Sequence, residues 1–185
     1  MPTEGEIHPT RHFGIATIFQ QPQLLPHLTA EENIILPLSS FLTEEKARRI
    51  AQKHLQEMEM EPFGNRYPKE LSYGQQQRIA IARALAYPSP LLLMDEPFGA
   101  LDAQTRYQME EEVLRIWEKE KRTVIFVTNN IEEAVYLGDR IVLLSRCPAT
   151  IKQIYDVPLP RPRDYVDPEF LAIREAIEAN TDLAL

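Results

Sequence analysis

The chain has 185 residues, 44% of them hydrophobic, a length and composition that suit one folded domain, or one domain with a subdomain. Its formal net charge is −8, which argues against a nucleic-acid surface, where clustered Lys and Arg are needed. A single cysteine, Cys147, excludes an intramolecular disulfide framework, and no run reaches the ~20 apolar residues of a membrane helix.

In chain order, residues 1–12 are polar and carry Pro2, Gly5 and Pro9, a composition of turns with a weak strand at Glu6-Ile7. Residues 14–19 alternate small and apolar side chains as a strand does, with Gln20 at its carboxyl end. His27 has no second His or Cys at ligand spacing and is read as an interface residue, not a metal ligand. Thr43 is placed as the N-cap of a helix with Glu44 and Glu45 in its first turn, and Ala47, Ile50, Ala51, Leu55 and Met58 form its apolar stripe; His54 borders that stripe. After the break at Pro62-Phe63-Gly64, the stretch Leu71-Ser72-Tyr73-Gly74-Gln75 opens a helix in which Ile79, Ala82, Leu85 and Ala86 recur at helical spacing. The free backbone N–H groups and positive end of such a helix make an anion site.

Leu91-Leu92-Leu93-Met94 reads as a fully buried strand that ends in two carboxylates, Asp95 and Glu96. In α/β sheets the carboxyl edge is where acidic residues meet ligands. Beyond Asp102, the positions of Thr105, Met109, Val113, Ile116 and Trp117 mark an amphipathic helix. Residues 123–128 form a β-branched strand, Asn129-Asn130 follows it, and residues 140–144 read as a further buried strand. Residues 151–155 suit a late hairpin strand. Pro158, Pro160 and Pro162 then hold an extended segment, and 169–179 is compatible with a short helix.

Four of these stretches together resemble the ATP-binding-cassette (ABC) ATPases. Leu71-Ser72-Tyr73-Gly74-Gln75 is similar to the LSGGQ signature, Leu92-Leu93-Met94-Asp95-Glu96 to the Walker B strand with its glutamate, Phe98-Gly99-Ala100-Leu101-Asp102 to the D-loop, and Ile18-Phe19-Gln20 to the Q-loop. The resemblance covers nearly the whole chain. It implies an α/β fold of the P-loop NTPase type, a parallel sheet with a helical subdomain over about 24–86, a partial ATPase domain over 1–155, and a proline-rich tail with a short helix over 156–185. Residues 24–33 resemble the family's route into the helical subdomain. The tail resembles that of importers for nitrate, sulfonate, taurine and related small anions.

The same resemblance assigns roles. Asp95 would hold Mg²⁺ through water, Glu96 would polarise the attacking water, and Gln20 would touch both. Ser72, Tyr73, Gly74 and Gln75 would face the nucleotide bound to a second cassette, and Asp102 would link the two sites. Asn129 stands where the family has its switch His; it can still donate a hydrogen bond but cannot carry positive charge. The implied cofactors are ATP and Mg²⁺. The implied partners are a transmembrane permease, a second ABC ATPase subunit with an intact Walker A loop and, indirectly, a periplasmic or surface solute-binding protein, with no nucleic acid; the implied location is cytoplasmic, peripheral on the inner face of the cell membrane.

One element of the family pattern is missing. No G-x-x-x-x-G-K-[ST] occurs in the 185 residues, so the resemblance implies a chain that begins inside the domain, with the Walker A strand and helix missing. Without them the strands at 123–128 and 140–144 must pair directly or leave unpaired edges. Three alternatives follow: a non-catalytic or dimer-completing subunit, a gene fragment, and a soluble ABC protein of DNA repair or translation, the last disfavoured by the acidic balance and the importer-like tail.

Overall fold

The structure is a computed structural model that describes residues 14–181; the turns and weak strand expected over residues 1–12 lie outside them. Two compact units divide the chain between Ile125 and Phe126. Among the described residues no helix is long and apolar enough to cross a membrane.

The first unit contains strand β1 (Ile15–Ile18), helices α1 (Ala30–Ile35), α2 (Glu44–Glu57) and α3 (Tyr73–Ala86), strand β2 (Leu91–Asp95), helix α4 (Ala103–Glu120) and the start of β3 (Thr123–Val127). The sheet order is β1-β2-β3. β1 and β2 run parallel, with Ile15 opposite Leu91 and Ile18 opposite Met94. A parallel pair requires a crossover, and here the helices between residues 24 and 86 provide it. α1, α2 and α3 pack on one another through Ile34, Ala47, Ala51, Leu55, Ile79 and Leu85, all buried.

Local sequence explains where these helices start. Thr29 caps α1 by accepting from Glu32 N at 3.2 Å while the Glu32 carboxylate accepts from Thr29 N at 2.8 Å, a reciprocal capping box. Asn33, 1% exposed, accepts from Leu25 N at 2.8 Å and donates to the carbonyls of Leu25, Leu28 and Thr29. One buried amide thus satisfies the loop that enters the helical layer. α2 starts at the expected Thr43, although that hydroxyl makes no capping bond. At the end of α4, Lys121 adopts φ 51°, and Arg122 turns back to donate to the carbonyls of Leu85 and Tyr87 at the end of α3.

The second unit holds α5 (Ile131–Leu137), β4 (Arg140–Leu144), β5 (Ile151–Asp156) and α6 (Pro168–Glu178). β4 and β5 form an antiparallel hairpin. The proline-rich segment between β5 and α6 is fastened by two arginines. Arg163, side chain 1% exposed, donates to the carbonyls of Val135 (2.6 Å), Tyr136 (3.0 Å) and Gly138 (2.7 Å), the orphan acceptors at the end of α5. Arg161 donates to Leu137 O and to Asp139, each at 2.6 Å. Tyr165 stacks on Tyr136 with ring centroids 4.6 Å apart and meets Phe170 of α6 edge-on.

Two expectations are corrected. The strand at 91–95 is not fully buried: Leu92 and Met94 are covered, but Leu91 and Leu93 are half-buried. The strand at 140–144 is not buried either, since Val142 is 46% and Leu144 56% exposed. Among the described residues it pairs with β5, while β3 belongs to the other sheet; of the two outcomes expected for 123–128 and 140–144, direct pairing or unpaired edges, direct pairing does not occur. The physical reason is the same for both: a hydrophobic run reports what a strand can bury, not whether a layer covers it.

Arg163→Met removes a donor from several buried carbonyls and destabilises the fold by on the order of 3 kcal/mol, with Arg163→Lys recovering only part because an ammonium lacks the guanidinium fork; denaturant unfolding followed by Tyr fluorescence measures this. His54 gives a pH prediction. It is 4% exposed, and burial holds its pKa below the ordinary value of 6.5 despite Glu57 at 2.9 Å. The unfolded chain therefore binds the proton first, so stability is complete above about pH 6.5 and falls as pH drops below it. Urea unfolding between about pH 7.5 and 5 should show that fall, and His54→Gln should flatten it.

Candidate functional site

The site lies in the first unit, where β1 and β2 end at the same edge. Because the strands are parallel and in register to Ile18 and Met94, the residues two further along each, Gln20 and Glu96, leave the sheet side by side. Gln20 Nε2 donates to Glu96 Oε2 at 3.3 Å across a separation of 76 residues. Glu96 has φ 42°, a left-handed conformation that costs a non-glycine residue roughly 1–2 kcal/mol. Gly99 sits against this pair: a Cβ there would lie 3.5 Å from Glu96 Oε2 and 3.8 Å from Gln20 Nε2. Asp95 is the exposed last residue of β2.

Helix α3 supplies the second part. Ser72 Oγ caps it by accepting from Gln75 N at 3.3 Å, and Gln75 Oε1 accepts from Ser72 N at 2.9 Å. The sequence reading left the first-turn amides free for an anion; two of them, those of Ser72 and Gln75, are instead satisfied by the capping box. Further along, Gln77 is wholly buried and its Nε2 donates to Pro97 O at 2.7 Å and Phe19 O at 3.2 Å. Its side chain is a bridge between the two strand exits. Arg83 donates to Gln23 O at 2.8 Å and Pro22 O at 3.0 Å. Tyr73 O–H donates to the Gln20 carbonyl at 2.6 Å.

A hollow of about 460 Å³ runs along the start of α3, lined by Ser72, Tyr73, Gly74, Gln75, Arg78 and Asp102 among others. Asp102 caps α4 by accepting from Thr105 N at 3.0 Å, and that backbone bond holds its carboxyl below the usual range. Arg78 pairs with Glu112 at 3.1 Å. A larger hollow of about 560 Å³ at Asn65, Arg66, Tyr67, Lys69 and Glu70 is formed by open, solvated side chains away from both carboxylates and is not where the chemistry converges.

The structure thus brings together Gln20, Glu96, Tyr73 and, through the hollow, Ser72, Gly74, Gln75 and Asp102. Asn129 belongs to the second unit, between β3 and α5, where the neighbouring Asn130 caps α5 by accepting from the amides of Glu132 and Glu133. Sequence reasoning missed Gln77, Arg83 and the phenol of Tyr73. The only available signal was a run of polar residues inside an otherwise apolar helix.

Among the described residues no group of three or more His, Cys, Asp and Glu converges. Asp95 and Glu96 at the end of β2 are the chemistry Mg²⁺ takes, one or two carboxylates together with substrate phosphates. For a nucleoside triphosphate the fit is partial, since the 185 residues contain a signature turn and a carboxylate edge but no glycine-rich loop with its lysine.

Comparison with known proteins bears on the family and the fold. Residues 1–99 match the family described as ABC transporter. An uncharacterized ABC transporter ATP-binding protein of Methanocaldococcus jannaschii is 44% identical over 95% of this chain and 68% of its own length. The aliphatic sulfonates import ATP-binding protein SsuB of Bacillus cereus is 44% identical over 86% of this chain. A solved dimeric bacterial ABC transporter cassette is 38% identical with a TM-score of 0.69, covering 79% of this chain and 64% of that one. The same cassette in a dimeric post-hydrolysis state with ADP and Pi gives 0.67 at 36% identity. The chain belongs to the ATP-binding proteins of ABC transporters. It spans 63% of the length of the sulfonate importer subunit.

Gln77→Leu keeps the volume but removes the donor from two loop carbonyls; it should destabilise the chain by about 1–3 kcal/mol. Denaturant unfolding checks this, and an unchanged midpoint would show that water replaces the amide.

Proposed function

We propose that this chain is the ATP-binding subunit of an importer for small anionic solutes of the sulfonate, nitrate or taurine kind, and that it works by completing an ATP site with a second cassette. The observation that carries the reading is the bond between Gln20 and Glu96 at the shared edge of β1 and β2: a carboxylate and an amide held where an attacking water can be oriented. The name of the sulfonate relative supports the solute class, and the solved dimers support a pair of cassettes. A permease would receive the motion, with a solute-binding protein outside it, and the chain would lie peripherally on the inner face of the membrane. Residues 1–155 would serve as the partial cassette, with 156–185 as its tail.

When bound, Mg-ATP supplies the phosphoryl group whose transfer to water drives such cycles. In this reading Asp95 would hold Mg²⁺ through water, with Gln20 reaching the same ion, Glu96 would polarise the attacking water, and Gln20 would orient that water by its amide. Ser72 and the amides of Tyr73 and Gly74 face the phosphates held by the second cassette, with Gln75 bracing the turn and Asp102 reaching across. Asn129 takes the place of a histidine; loss of one transition-state donor costs on the order of 10²–10³ in rate, and asparagine retains the donor without the charge.

A second reading is favoured by Asn129, which stands where the family has its switch His. In it the chain lends its signature to a partner's site and hydrolyses nothing at its own. Both readings share one test, ATP hydrolysis by this chain mixed with a cassette that has an intact phosphate loop. Ser72→Arg should abolish that activity in both readings, whereas Glu96→Gln should lower it in the first and leave it unchanged in the second, where the complete site uses the partner's own glutamate. Activity unaffected by Ser72→Arg would remove the signature from the mechanism. A large loss in Glu96→Gln would place turnover at this chain's own edge.

A further inference from the structure

The first turn of α3 carries a bond that a capping box does not require. Tyr73 presents a side chain 39% exposed whose phenol donates to the backbone carbonyl of Gln20 at 2.6 Å. It does not act alone. Gln77 donates to Phe19 O, and Arg83 donates to Pro22 O and Gln23 O. The carbonyls of residues 19, 20, 22 and 23 therefore all accept from side chains of one helix. Of these donors Tyr73 is the one that grips Gln20 itself, on the residue whose side chain reaches Glu96.

The bond from Gln20 to Glu96 is 3.3 Å long, beyond the usual 2.9–3.0 Å for N–H···O and so easily lost when the backbone shifts. Gln23, three residues on, has φ 49°, so the segment leaves β1 through a conformation that few side chains favour. Something must hold it in place. Burial pushes the Tyr73 phenol above its ordinary pKa, so it stays a donor at neutral pH.

We propose that Tyr73 is a positioning residue: its phenol fastens the backbone of Gln20 to the start of α3 and thereby holds the Gln20 amide against Glu96. The use made of that pair rests on the proposed ATPase role, but the fastening itself does not. It also couples the signature turn to the strand exit, so that a displacement of one is carried to the other by a single short hydrogen bond.

The test uses the 185-residue chain without nucleotide. The ¹⁵N-labelled side-chain amide of Gln20 is followed by NMR at fixed pH, and its response is the chemical-shift change that Glu96→Gln produces. Tyr73→Phe should reduce the response by about half or more and raise amide exchange over residues 20–23 by about five- to tenfold, as loss of one hydrogen bond of ~1 kcal/mol implies. Exchange in the buried part of α3 should rise less than over residues 20–23, and the urea midpoint should fall by no more than loss of one hydrogen bond implies. Tyr73→Gly should reproduce the change; if it fails to fold, Tyr73→Phe, with the ring retained, still gives the reading. An unchanged Gln20 response in Tyr73→Phe, or exchange raised uniformly through the first unit, would overturn the proposal. The mixed-cassette assay tests the ATPase role separately, so the failure of either can be told from the failure of the other.

Discussion

The candidate site depends on one buried amide. Chain leaving a β-sheet carries carbonyl groups that no ladder satisfies, and burying them without donors costs about as much as a lost hydrogen bond. Gln77 reaches from the middle of α3 to two such groups, Phe19 O after β1 and Pro97 O after β2, and so ties both exits to one rigid helix. Register does the rest. With Ile18 opposite Met94, residues far apart in the chain come off the sheet together, and the Gln20 amide finds the Glu96 carboxylate.

The same device recurs through the first unit. Asn33 satisfies the loop that enters the helical layer, Arg122 closes the end of α3, and Arg83 and Tyr73 hold the segment after β1. Asn33, Arg83 and Tyr73 donate from helices to loop carbonyls, and Arg122 donates from the turn after α4 to the end of α3. Side chains that must act at defined distances are more precisely held by such helices than by loops alone. The left-handed Glu96 is consistent with that support: strain of this size persists only where the surroundings over-determine it.

The second unit solves a different problem with the same chemistry. A short hairpin and two helices offer little apolar area, and the segment between β5 and α6 is rich in proline, which cannot donate from its own backbone. Arg163 and Arg161 supply the donors and direct them at the carbonyl end of α5, where the helix dipole also favours positive charge. Tyr136, Tyr165 and Phe170 cover the arrangement. The proline-rich segment is thereby fastened to α5 within this unit.

Periodicity and capping residues identified α2, α3 and α4 from the sequence, because helix formation follows spacing and first-turn chemistry that lie within a few residues. The motifs around Ser72, Asp95 and Asp102 were legible for the same local reason, and with them the family. Burial of strands was not: residues 140–144 are as apolar as a core strand, yet Val142 and Leu144 are exposed, because coverage depends on layers that the strand's own sequence does not specify. Nor was the purpose of Gln77, Arg83, Tyr73 or Arg163 legible, since each serves carbonyls between 4 and 61 residues away. The sequence by itself determined which segments become helices and strands and which carboxylates end a strand. Only the tertiary structure decided which loop carbonyls those polar side chains satisfy, because backbone acceptors look identical in every sequence and are distinguished only by where the chain brings them.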